Sequence, residues 1–166
     1  MVSYKFGGET PEQTVSNRDI SFSYPSDFGL AVKPEQIPVK SYIPPCDENF
    51  DYCLYYLGTK YEGTNFESAG LRIKQRTDLA KENCDFGQKI GDAALGHYAT
   101  GNLYRIFIND SCYEFETRLG LTQFANYATG TIEEFTQNDQ TEMEAKLQRL
   151  LEEIAAGRKK LIFPKI

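Results

Sequence analysis

The chain has 166 residues, enough for one domain that buries a sizeable core without obligatory staples. Its 40% hydrophobic and 25% charged residues are the composition of a folded protein rather than a disordered one. A formal net charge of −6 speaks against nucleic-acid binding, which needs a basic face, and against attraction to anionic lipid.

No run approaches the roughly 20 apolar residues of a membrane-spanning helix. Met1-Val2-Ser3-Tyr4-Lys5 has no apolar stretch and shows no signal peptide. Residues 1–18 are polar and read as a loosely ordered leading segment. From Ile20 to Tyr24 apolar and polar residues alternate, which predicts a strand with Ile20, Phe22 and Tyr24 inward. Pro25-Ser26-Asp27 stops it with turn chemistry, and Leu30-Ala31-Val32 is its expected hairpin partner. Pro34, Pro38, Pro44 and Pro45 make residues 34–45 an extended connector.

Asp51 to Leu57 is tyrosine-rich and β-competent. Phe66 to Thr77 reads as a half-buried strand. Glu67, Ala69, Leu71 and Ile73 share one side of it, and Arg72, Lys74 and Arg76 the other. A short helix is expected from Asp78 to Asn83. Residues 85–102 are glycine-rich without sustained periodicity and read as a long loop.

Tyr104 to Leu119 predicts a hairpin turning at Asn109-Asp110. A two-residue turn sets Phe107 opposite Cys112, Ile106 opposite Tyr113, and Arg105 opposite Glu114. Tyr104, Ile106, Ile108, Tyr113 and Phe115 then form the core face. Asp139 to Ala156 predicts a helix with Met143, Leu147, Leu150, Leu151 and Ile154 in one stripe. Asp139 and Glu142 resemble a capping box, Gly157 a stop, and Leu161-Ile162-Phe163 a last short strand. The expected fold is a single α+β domain, an antiparallel sheet with a leading hairpin packed against a long C-terminal amphipathic helix.

Cys46, Cys53, Cys84 and Cys112 lack the two-to-four-residue spacing of a zinc knuckle. They read as structural disulfide partners, which points to an exported protein whose signal or anchor has been removed ahead of Met1. Of three connectivities, Cys46–Cys53 with Cys84–Cys112 is expected, because the first pair spans a natural loop and Cys112 points away from the apolar face. The alternative is four free thiols in a cytosolic protein–protein adaptor.

The signals for chemistry are sparse. His97 reads as a loop histidine bonded to backbone; a nucleophile pair with Cys112 would need a free thiol. Asp47, Asn49 and Asp51 echo the start of a calcium loop, but Tyr52 and Gly58 replace its required glycine and glutamate. Arg72, Lys74 and Arg76 form a basic stripe that could hold an acidic partner, or could be a wet sheet face balanced by Glu114 and Glu116. Tyr42, Tyr52, Tyr55, Tyr56 and Tyr61 cluster, and tyrosine-rich surfaces recognise partners well. No phosphate-loop, dinucleotide, esterase or zinc-protease motif occurs.

The segment Ile20-Ser21-Phe22-Ser23-Tyr24-Pro25-Ser26-Asp27-Phe28 resembles the opening of small bacterial exported proteins of the PsbP/Mog1-like type. The strand pair, amphipathic helix and apolar strand at the other end are similar to that family too. The resemblance covers the ends of the chain and the order of elements. It implies an antiparallel sheet packed between helices, a leading hairpin, and a non-catalytic binding or assembly role. No functional residue carries over.

The expected function is therefore an extracytoplasmic, disulfide-stabilised binding or assembly domain without catalytic residues, metal or cofactor, monomeric, with a protein or envelope component as partner. Contact is expected through the tyrosines, the basic stripe or the 85–102 segment that carries His97. A small hydrolase with a site near His97 is the alternative.

Overall fold

A computed structural model of the chain describes residues 12–16, 21–32 and 50–156. The connector at 34–45, Tyr42, Cys46, Asp47, Asn49, Gly157 and the strand at 161–163 lie outside the described residues, as does most of the leading segment. In chain order the strands are β1 (Glu12–Ser16), β2 (Ser21–Pro25), β3 (Phe28–Val32), β4 (Tyr52–Tyr56), β5 (Phe66–Gln75), β6 (Phe86–Ala94), β7 (His97–Ile108) and β8 (Ser111–Thr122), followed by helix α1 (Gln137–Ala156). Six of them form one antiparallel sheet in the order β3-β4-β5-β8-β7-β6, and β1 pairs with β2 in a separate ribbon. The chain is α+β, with the helix on one face of the sheet.

The centre of the sheet follows directly from side-chain alternation. Phe107 lies opposite Cys112, Ile106 opposite Tyr113 and Arg105 opposite Glu114, as the two-residue turn requires. Asn109 and Asp110 both have positive φ, 48° and 64°, the conformation of a type I′ turn that these short polar side chains tolerate. Leu71, Ile73, Tyr113, Phe115 and Leu119 put their side chains on one face, and Met143, Leu147, Leu150, Leu151 and Ile154 of α1 close over them. Each such side chain contributes about 1.5–3 kcal/mol on full burial.

Several expectations are corrected. The leading hairpin joins β2 to β1, not to residues 30–32; β3 instead pairs with β4 at the sheet edge. Residues 12–16, expected to be loose, are the first strand of that hairpin. The short helix after β5 shrinks to a 3-10 turn at Lys81–Asn83. The capping box sits one turn before the expected place. Thr136 and Asp139 exchange side-chain-to-backbone bonds of 2.9 and 3.1 Å, and Glu142 instead pairs with Lys60.

Two corrections matter for the site. The 85–102 segment is not a loop: it is β6, a turn at Leu95-Gly96, and the start of β7. An edge strand with little burial on either face needs no alternation, so its sequence carries none. Gly101 is where β7 presses on β8, since a Cβ there would come within 1.8 Å of the Thr117 carbonyl oxygen. The second correction is Glu67. A register shift between Phe66 and Ser68 places it at a bulge, off the Ala69–Leu71–Ile73 face, where it meets the His97 ring.

Candidate functional site

The outer face of the sheet, opposite α1, holds the basic stripe. Arg72 pairs with Glu116, Arg76 with Glu114 at 2.6 Å, and Arg105 with Glu114 at 3.1 Å. Phe50 stacks on Arg72 and Phe86 on Arg105, with ring centroids 4.0 and 4.7 Å from the guanidinium carbons. Lys74 stands opposite Glu114 in the register. Arg76 also holds Asp78, and its hydrogen bond keeps that carboxyl down at about 2. The stripe is a neutralised ladder, so it offers an acidic partner few unmatched cations. Beside it lies a cleft of about 260 Å³ bordered by Arg72, Asp92, Glu116 and Arg118. There too the charges are paired, Arg72 with Glu116 and Arg118 with Asp92 at 3.3 Å.

Tyr55 and Tyr61 are buried, and Tyr52 and Tyr56 pack against the core. Tyr56, Tyr61 and Phe66 form a ring cluster with centroids 5.2–6.2 Å apart, to which Phe135 adds an edge contact on Tyr61 at 4.9 Å. Burial raises the pKa of the Tyr56 and Tyr61 phenols above the ordinary value, as it does for Tyr24 and Tyr104.

His97 opens β7, and its Nδ1 lies 2.7 Å from Glu67 Oε2. A Cys112–His97 nucleophile pair is ruled out. Cys112 is bonded to Cys84, with Cα atoms 5.8 Å apart, and it stands opposite Phe107 at the far end of the strand pair. Cys53 is also disulfide-bonded; the expected partner Cys46 lies outside the described residues. Asp51 accepts a 2.7 Å bond from the Gln75 amide, tying β4 to the end of β5. Among the described residues no group of three or more His, Cys, Asp or Glu could hold a metal ion.

The two ends of the sheet carry different elements. One end carries the Asn109-Asp110 turn, Asp51, Asp78, Lys81, Glu82, Asp85 and the Cys84–Cys112 disulfide. The other receives the end of β4, the start of β5, the β6–β7 turn and the exit of β8. All four large apolar side chains that stand exposed among the described residues leave from this second end: Leu57 at 45%, Leu95 at 90%, Phe124 at 37% and Tyr127 at 39%. Residues 93–104 and 119–132 contain no Asp, Glu, Lys or Arg, in a chain that is 25% charged.

These two uncharged stretches touch. The Gln123 amide donates to the Gly96 carbonyl at 2.8 Å, and the Thr122 and Tyr127 hydroxyls are 2.9 Å apart. His97 sits across from Thr122 on the neighbouring strand. Leu95, Phe124 and Tyr127 thus belong to one patch, with the Glu67–His97 pair at its edge. Within it Leu95 breaks a local rule. The β6–β7 turn has φ of 53° at Leu95 and 79° at Gly96, so a bulky residue holds a position suited to Asn, Asp or Gly. The same molecule obeys that rule at Asn109-Asp110. Leu95 is thus an exposed leucine at a backbone position that disfavours it, a departure from local preference.

The sequence reading missed Leu95, Phe124 and Tyr127. Their signal was a deficit, two long stretches empty of charge, and motif searches look for residues that are present.

No family model, no curated protein and no solved structure matches the chain. Among the described residues no helix is long and apolar enough to cross a membrane.

Proposed function

We propose that the chain is an extracytoplasmic, disulfide-stabilised binding or assembly domain that makes contact through the β6–β7 turn and the 123–127 loop beside it. The observation that carries this reading is Leu95, 90% exposed at a positive φ on the tip of the β6–β7 hairpin, with Phe124 and Tyr127 beside it. Interface centres are depleted in charge and enriched in aromatic rings, and the stretches 93–104 and 119–132 have that composition. The Cys84–Cys112 bond and the bonded state of Cys53 support an oxidising compartment. The contact segment is the expected 85–102 region, with the 123–127 loop added and the tyrosines of β4 withdrawn into the core.

Placing a photo-crosslinking residue at position 95 or at position 110 in the producing cell tests the reading. Adducts are expected from position 95 at several times the yield from position 110, which lies at the opposite end. Equal yields from the two ends, or none from 95, would contradict it.

A further inference from the structure

We infer that the cleft on the outer face of the sheet, bordered by Arg72 and Arg118, is a binding site for a small monocarboxylic acid. The inference is independent of the contact reading, which concerns the β6–β7 turn and the 123–127 loop.

Two hydrogen-bond donors at this cleft lack acceptors. Among the described residues Arg72 Nε and Arg118 Nε are buried and donate to nothing. A buried donor without an acceptor is costly, and folded proteins carry few of them. Here both belong to arginines that border one cleft of about 260 Å³. Glu116 and the Phe50 ring, 4.0 Å from the guanidinium carbon, hold Arg72 in place as a fixed wall.

Arg118 is held more loosely than its neighbours on the ladder. Glu114 and Glu116 grip their arginines from largely buried side chains. Asp92 is 66% exposed, and its oxygens stand 3.3 and 3.4 Å from the two Nη atoms of Arg118. An exposed pair of that length exchanges readily with another carboxylate. There is also room for one. Gly70 stands opposite Arg118 on β5, and a Cβ on Gly101 of β7 would come 3.3 Å from Arg118 Cα. Arg118 thus has glycine beside it on both neighbouring strands, and no side chain from either position fills the space around its guanidinium.

The same features select the ligand. A guanidinium fork matches the two oxygens of a carboxylate, and here the Nε edge of that fork has no acceptor. Glu116 and Asp92 also border the cleft, so a dianion meets more repulsion there than a monoanion does. Ile90 and Ala99 supply the remaining wall, which suits an apolar remainder on the acid. At about 260 Å³ the cleft lies below the roughly 300–1,000 Å³ of sites for drug-sized ligands, so the acid is small.

Nuclear magnetic resonance titration of the isotope-labelled, oxidised chain with butyrate tests the inference, read on the arginine Nε–H and backbone amide signals. Butyrate is expected to shift the Nε–H signals of Arg72 and Arg118 and the amides of residues 90–92. Butanol, and sulfate at the same ionic strength, should leave those signals in place. Asp92→Asn removes the competing carboxylate at an exposed position, so the fold is kept. It should tighten butyrate binding about threefold, the scale of an exposed ion pair. Arg118→Gln should weaken binding about tenfold or more. No shift with butyrate, or an equal shift with sulfate, would overturn the proposal. So would butyrate binding that Asp92→Asn weakens or leaves unchanged, or that Arg118→Gln does not alter.

Discussion

Replacing Cys84 and Cys112 together by alanine is expected to lower the stability of the folded chain by roughly 3.5 kcal/mol, the loop-closure effect for a bond between residues 28 apart. Both sulfurs are buried, and alanine leaves only small voids, so chain entropy dominates. The closed loop contains β6, the Leu95-Gly96 turn and all of β7, so the disulfide anchors the arm that carries Leu95. β6 has few buried side chains of its own and hangs on the sheet by its ladder with β7. The loss should therefore appear first as faster amide exchange along β6, while β5 and β8 stay protected. At about 2–4 °C per kcal/mol for a domain of this size, the melting temperature should fall by roughly 7–14 °C. A melting temperature within a degree or two of wild type would show that the bond constrains nothing.

Phe115→Ala is expected to cost about 3–5 kcal/mol, the range for a buried phenylalanine whose neighbours cannot collapse into the space. Phe115 is 0% exposed on β8, the strand between β5 and β7, where it faces Ile73 on one side and Tyr104 on the other. The sheet, its neighbours and the helix stripe hold the cavity open, so little of the cost is recovered by relaxation. Denaturant unfolding monitored by far-ultraviolet circular dichroism should show a lower midpoint with an unchanged slope. A loss under about 1 kcal/mol would mean that α1 does not close the core over this ring.

The contrast between Phe115 and Leu95 also explains what the sequence made legible. Strands buried on one face print their geometry as alternation. Residues 104–119 therefore yielded the register residue by residue, and the Met143–Ile154 stripe yielded the helix. Glu67 was misplaced because a bulge shifts the period by one residue, and alternation alone carries no mark of that insertion. β6 was hidden because neither of its faces is well buried and because Gly87 and Gly91 read as loop residues. The pairing of β2 with β1 was hidden because short strands announce their faces but not their partners.

The candidate site was legible only in outline. The 85–102 segment was singled out for its irregular composition, and it does carry Leu95. The tyrosines were singled out for their type, but type does not decide burial. Tyr55, on β4, packs into one core and Tyr61, in the turn after β4, into another. Phe124 and Tyr127 gave no signal, because single apolar residues in a polar loop are ordinary. Only the fold sets them beside Leu95.

The claim that Leu95 is kept for contact and not for folding is tested most directly by the thermal unfolding of Leu95→Asn. Asparagine suits the left-handed conformation that leucine disfavours by about 1 kcal/mol, and the side chain is almost wholly in solvent. The account predicts a variant more stable than the parent, melting about 2–4 °C higher. A variant that melts below the parent would contradict it, by showing that the leucine holds the fold together.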